Sequence, residues 1–296
     1  MKRRDVLSDC HPLVSAAFFA LVLGFSMTQM HPVCLAVSLA GAAGYTAALG
    51  GGRALRRAVR CALPVGLLAA VLNPLLSHRG MTILHYLPSG NPLTLESIVY
   101  GAAAAGMLAA VLLWFGCCTA VMTADKLLWL FGRAAPALSL VLSMTLRWVP
   151  RFGAQLRAAA EARRGLGQRG GRITRRICGG AAVLSIVVTW ALENALDTAD
   201  SMRSRGYGLP GRTAFSIYRL SCRDRGMLAW LGFCGLYLLA GCLAGGLDWR
   251  YYPTLRGGAV TPLGVSFFLV DLALCLTPVF LNRQEARAWR RMKSGT

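Results

Sequence analysis

The chain has 296 residues, and its 32 Lys and Arg against 12 Asp and Glu leave a formal net charge of +20. Apolar residues make up 55% and charged residues 15%, where an ordinary soluble domain carries about a quarter charged. This balance excludes a disordered chain and a disulfide-rich secreted one. It points to a membrane protein rather than a basic nucleic-acid binder.

A membrane-crossing helix needs about 20 apolar residues. Six runs meet or approach that length in chain order: Pro12–Thr28, Pro32–Leu49, Cys61–Leu76, Ile98–Met122, Met227–Gly246 and Ala259–Leu281. Only the third is short. Lys2, Arg3 and Arg4 precede the first run, but no small-residue cleavage site with a polar segment after it appears, so that run reads as a retained helix. Small residues recur in the spans, as in Gly41-Ala-Ala-Gly44 and Gly101-Ala-Ala-Ala-Ala-Gly106, and allow close helix packing in lipid.

Lys and Arg stay on the cytoplasmic side of a membrane. With six spans and both termini inside, every Lys and Arg except Arg79, Arg250 and Arg256 falls on that side. Two further apolar runs, Ala135–Val149 and Ile177–Leu192, are shorter. Reading them as a spanning hairpin places Arg151, Arg157, Arg163, Arg164, Arg169, Arg172, Arg175 and Arg176 outside, against the charge rule. The expected organisation is therefore membrane helices over 1–122, a cytoplasmic helical module over 123–225, and two more membrane helices with a basic tail over 226–296. The fold class is all-α, polytopic, with about six transmembrane helices.

Ten cysteines and four histidines show no metal-binding spacing. Cys117-Cys118 reads as a pair of reduced, packed thiols. His11, His31, His78 and His85 fall near span ends or in loops. Asp271 is the single acid well inside a span, where a buried carboxylate marks either helix packing or an ion path. The only lysines are Lys2, Lys126 and Lys293, and none has the glycine-rich context of a phosphate-binding loop. No catalytic constellation, metal or cofactor site is read. Energised work by this chain must draw on a partner.

The 123–225 module is the informative segment. Val188, Leu192, Ala195, Ala199 and Met202 follow spacings of one helix stripe, and Glu193, Asp197, Asp200 and Ser204 form a polar second one. The helix is expected to end at Gly206, with Pro210 beyond it. The alanine-rich Arg151–Gly165 segment has the same ending: Arg163-Arg164-Gly165 there, Ser204-Arg205-Gly206 here. A guanidinium fork at a helix tip suits an acidic groove, and a following glycine lets a partner approach the backbone.

The segment Thr189–Gly208, continuing through Gly211-Arg-Thr213, resembles the second signature of the T component of energy-coupling-factor (ECF) transporters, the CbiQ-like integral membrane family. Leu72–Gly80, Leu93–Glu96 and the span ending near Trp114-Phe115 resemble the same family. The likeness runs in order over most of the chain. It implies a bacterial plasma-membrane subunit that binds two ABC-type ATPases through the tips of two coupling helices. It also implies transmission of ATPase motion to a separate substrate-binding S component for vitamin or other micronutrient uptake. Arg205 with Ser204 and Gly206 would be the second docking tip. Arg164 with Gly165 would be the first, with Arg163 where the family has alanine, and Gln168-Arg169-Gly170 is a competing placement. Leu192, Ala195, Ala199 and Met202 would be the packing stripe of the coupling helix. The chain would itself be non-catalytic, with membrane lipid but no nucleic acid among its partners. An independent secondary transporter or channel, a membrane-embedded enzyme and a lipid-binding anchor are the competing classes.

Overall fold

The computed structural model describes residues 5–77, 80–86, 92–166, 173–207, 209, 218–245, 248–254, 256–257 and 261–294. The protein is an all-α, polytopic membrane protein. In chain order come α1 (Val6–Asp9), α2 (Pro12–Thr28), α3 (Pro32–Leu76), α4 (Leu95–Val121), α5 (Ala124–Ala134), α6 (Pro136–Gly165), α7 (Ile173–Ser204), α8 (Cys222–Leu243) and α9 (Pro262–Ser294). Two short antiparallel ribbons occupy connections: β1 (Ile83–Tyr86) with β2 (Pro92–Thr94), and β3 (Trp249–Arg250) with β4 (Arg256–Gly257).

The chain divides into two compact units. One comprises Met1–Leu127 with Tyr218–Thr296, the other Leu128–Ile217. The expected module of 123–225 therefore loses a few residues at each end to the first unit. Its first helix root and the start of α8 belong there.

In the first unit the expected spans appear with changed edges. Helix α2 runs as expected, with Pro12 at its first position and His11 capping it through Nδ1, which accepts from the Leu13 amide at 3.3 Å. His31 caps α3 in the same way. Helix α3 is 45 residues long, too long for one crossing of about 30 Å at 1.5 Å per residue. It breaks at Gly51, whose φ of 70° and ψ of −174° leave the helical region, as only glycine does readily. The basic stretch Arg53–Arg60, expected to link two spans, is instead the exposed start of the second half of α3. Helix α4 continues past Trp114-Phe115 to Val121, and α9 carries the expected basic tail onward as helix to Ser294.

Trp114 is the centre of this core. It is fully buried and meets Phe18 at 5.8 Å and Tyr45 at 6.2 Å between ring centroids. Its indole N–H donates to Ser38 Oγ at 3.1 Å, and Ser38 shares a 2.6 Å hydrogen bond with Ser26. One aromatic ring thus joins α2, α3 and α4, and its polar atom is satisfied, as burial in an apolar interior requires. The helices approach closely where Cβ atoms are absent: a Cβ on Gly101 would stand 2.9 Å from the Ala70 carbonyl.

The amino-terminal turn is fastened by polar bonds. Asp5 accepts from Tyr45 Oη at 2.8 Å and from Asn282 Nδ2, and Asn282 Oδ1 accepts from the Val6 amide at 2.9 Å. Lys126, in α5, is only 3% exposed and donates to the Leu7 carbonyl at 3.0 Å and to Ser15 Oγ at 3.3 Å. Asp5 and Asn282 thus tie the start of α1 to α3 and α9, and Lys126 ties the root of α5 to α1 and α2.

All ten cysteines are free, and Cys117 is buried beside a half-buried Cys118. Among the described residues no group of His, Cys, Asp and Glu could hold a metal ion. Among the described residues five helical stretches are long and apolar enough to cross a membrane: Pro32–Leu76, Leu95–Val121, Ile177–Ser204, Cys222–Leu243 and Pro262–Arg287. Pro12–Thr28 is apolar but shorter. The Ile177–Ser204 stretch belongs to the second unit, where sequence placed a cytoplasmic module.

Candidate functional site

The second unit is built on α6 and α7. The two apolar runs read as short segments are in fact the first halves of long helices. Ala135–Val149 continues through Pro150 into Arg151–Gly165, and Ile177–Leu192 continues to Ser204. A proline normally disrupts a helix interior by removing one amide donor, yet α6 runs on past Pro150.

The helices pack antiparallel along one face each. On α6 that face carries Trp148, Phe152, Ala159 and Arg163, and on α7 it carries Gly179, Val183, Val187 and Trp190. Trp190 meets Trp148 at 5.8 Å and Phe152 at 6.0 Å. Nearer the turn, Arg163 Nη1 donates to the Gly179 carbonyl at 3.0 Å. Arg151 stacks over Trp148 at 5.8 Å from the ring centroid.

The register separates the two arginine-bearing ends. Roughly 18 Å of helix lies between Phe152 and Arg164, and roughly 22 Å between Trp190 and Arg205 in the opposite direction. The two helix ends thus stand on opposite sides of the aromatic crossing and face away from each other.

The two ends are built differently. At the end of α7, Gly206 has φ of 73°. Its amide donates to the Arg203 carbonyl at 3.0 Å, and the Tyr207 amide donates to Met202 at 3.1 Å. This paired closure by a left-handed glycine stops the helix and satisfies its last carbonyls. The end read from the sequence at Gly206 is borne out. Ser204 and Arg205 are exposed, and Ser204 Oγ donates back to the Ser201 carbonyl at 2.9 Å.

The end of α6 departs from expectation. Gly165 is its last helical residue and is not left-handed. The chain continues into Leu166, which has φ of −76° and ψ of 14° and donates to the Ala162 carbonyl. A glycine is not required there by conformation. The arginine pair is also divided: Arg163 is held against α7, while Arg164 is exposed. Gln168, Arg169 and Gly170, with Gly167, Gly171, Gly208, Pro210 and 211–213, lie outside the described residues, as do His78 and Arg79.

The stripe Leu192, Ala195 and Ala199 does not pack against α6. All three are exposed, Leu192 at 63%, and only Met202 is half-buried. Their face lies off the one that carries Val187 and Trp190. With Leu184, Val188 and Leu196 also exposed, α7 presents a long uncovered apolar surface. Glu193, Asp197 and Asp200 are exposed beside it.

Sequence reasoning missed Lys126 and Arg163 as fastening groups. Lys126 looked like part of the cytoplasmic charge excess and Arg163 like part of the first docking tip, and their contacts with backbone carbonyls are what distinguish them. The chain matches no protein-family model, and no curated protein matches it significantly.

Proposed function

We propose that this chain is the energy-coupling membrane subunit of an ECF-type ABC importer. It transmits motion from two ABC-type ATPases to a substrate-binding S component that takes up a micronutrient. In this reading the second unit is cytoplasmic, both termini are inside the bacterial plasma membrane, and the chain hydrolyses no ATP itself.

One observation carries the reading: a single antiparallel hairpin with an exposed arginine at each of two opposed helix ends. A rigid beam of this form can engage two separate partners at once. Arg164 and Arg205 are the docking groups, bidentate toward carboxylates in each ATPase groove. Serine at 204 and glycine at 206 keep the second tip narrow. Arg163 is a positioning residue that fixes the end of α6 on α7. The exposed apolar face with Leu192, Ala195 and Ala199 is the surface offered to the S component, since contiguous exposed apolar patches mark interfaces.

The Arg164→Glu, Arg205→Glu double reversal tests this reading. It should abolish ATP-dependent uptake and release the ATPases while leaving the chain in the membrane. Normal coupled uptake by that variant overturns the docking role.

A second reading, an independent secondary transporter or channel, is favoured by Asp271. It is 8% exposed, and no hydrogen bond or ion pair holds its carboxylate among the described residues. The length of Ile177–Ser204 also permits a further span. The arginines that such a span would bring outside oppose it.

A further inference from the structure

Between α8 and α9 runs an apolar groove of about 600 Å³. Gly226 and Trp230 line it from α8, and Ala273, Thr277 and Phe280 line it from α9, with Arg223 at its end. The volume falls in the range that holds small organic ligands.

The polar atoms that border the groove are already engaged. Thr277 Oγ1 donates to the Ala273 carbonyl at 2.6 Å and accepts from Trp230 Nε1 at 3.4 Å. Below Arg223 the walls therefore offer hydrocarbon and ring faces, with no donor seeking a partner.

Arg223 differs. Its side chain is half exposed; its ion pair with Glu285 Oε1 is long at 3.8 Å, and its other contact is a hydrogen bond to Cys10 Sγ, a weak acceptor, at 3.6 Å. A charge-assisted bond from a guanidinium is about 2.7–2.9 Å. Most of its donor fork is available to a stronger acceptor. Arg225, Arg283 and Arg287 are exposed on the same helix ends, against half-buried Glu285 and buried Asp224, whose carboxylate accepts from Ser221 and from the His11 amide. Arg223 stands in the first turn of α8, at the edge of a membrane-spanning stretch, where headgroups lie whichever face of the membrane this is.

We propose that this groove is a binding site for one anionic phospholipid, with an acyl chain along α8 and α9 and the phosphate on Arg223. The groove is charged at one end and apolar for the rest of its length, which is the pattern of that molecule. A basic residue at headgroup level favours an anionic lipid over a zwitterionic one.

Native mass spectrometry of the full-length chain tests this. The chain would be released from micelles containing equal phosphatidylglycerol and phosphatidylcholine. The wild type should retain one phosphatidylglycerol in preference to phosphatidylcholine. Arg223→Gln should lower that retention roughly tenfold, the effect of losing a charged hydrogen bond, and abolish the preference. Gly226→Phe should fill the groove and expel both lipids. A Cβ at Gly226 meets no atom within 4 Å, so the new side chain starts into open space. Equal retention of the two lipids by the wild type, or wild-type retention by both variants, overturns the site. So does a photo-crosslinking residue at position 226 that captures a polypeptide rather than lipid in native membranes.

Discussion

The guanidinium of Arg163 donates to the carbonyl of Gly179 across 3.0 Å, which ties the last turn of α6 to the first turns of α7. The neighbouring Arg164 is exposed. Two adjacent arginines of the same charge therefore have separate tasks, one inside the hairpin and one at its surface.

This division predicts different losses. Arg163→Gln should destabilise the hairpin by about 1 kcal/mol, because a half-buried charged hydrogen bond is lost. Arg164→Gln should leave hairpin stability within about 0.5 kcal/mol, as an exposed substitution does, and, in the energy-coupling account, instead weaken the hold on the ATPases. Thermal unfolding in detergent, set beside the amount of ATPase retained on purification, separates the two. Equal stability losses in both variants would contradict the division.

The cap of α7 gives a second test. At Gly206 a side chain meets only the flexible end of Leu209, at 3.1 Å, but φ of 73° is strained for any residue with a Cβ. Gly206→Ala should cost about 1–2 kcal/mol at that turn. Amide hydrogen exchange should then accelerate at positions 206 and 207, whose bonds to Arg203 and Met202 form the cap. Unchanged protection would show that the closure does not depend on glycine.

Much of this architecture was legible from sequence, and the misses share a cause. Hydropathy located α2, both halves of α3, α4, α8 and α9, because lipid tolerates few charges along a crossing. The end of α7 at Gly206 was legible because a left-handed cap needs glycine. Arg53–Arg60 was read as a link since charge ends an apolar run, although a helix carries exposed arginines without interruption. The unity of α6 was missed as well: its apolar start, Ala135–Val149, and its arginine-bearing end, Arg151–Gly165, were read as separate segments. Gly165 shows the reverse error: glycine after arginine marks a cap at one helix and merely the last helical residue at the other. The Asp5–Tyr45–Asn282 network and the Lys126 contact join residues far apart in sequence, so no local pattern could announce them.

Lys126 makes stability depend on pH. Burial lowers its pKa below the ordinary 10.5, with Cys10, Asp5 and Asp9 pulling weakly the other way. The unfolded chain keeps the lysine proton up to about the ordinary value, while the folded chain releases it earlier. Between those two points the unfolded state binds more protons, so stability should rise with pH there. Melting curves recorded up to pH 10.5 should show this rise in the wild type and a flatter profile in Lys126→Gln. Parallel profiles would remove Lys126 as the source.

Asp271 separates the two functional readings. A small cavity of about 10 Å³ adjoins it, with Ser26, Gln29 and Ser38 among its lining. An unpaired buried carboxylate costs stability, so Asp271→Asn should stabilise the chain by about 1 kcal/mol or more. In the energy-coupling account uptake through the S component continues in this variant. Loss of all transport, with the chain folded and its partners bound, would favour an ion-coupled transporter.

The most direct measurement is affinity purification of the full-length chain from native membranes in a mild detergent, with mass spectrometry of the proteins that accompany it. The energy-coupling account predicts two ATPases with phosphate-binding loops and one small hydrophobic protein, and the ATPases should be lost from the Arg164→Glu, Arg205→Glu variant. Recovery of the wild-type chain alone, in a detergent that preserves other membrane complexes from the same cells, would contradict it.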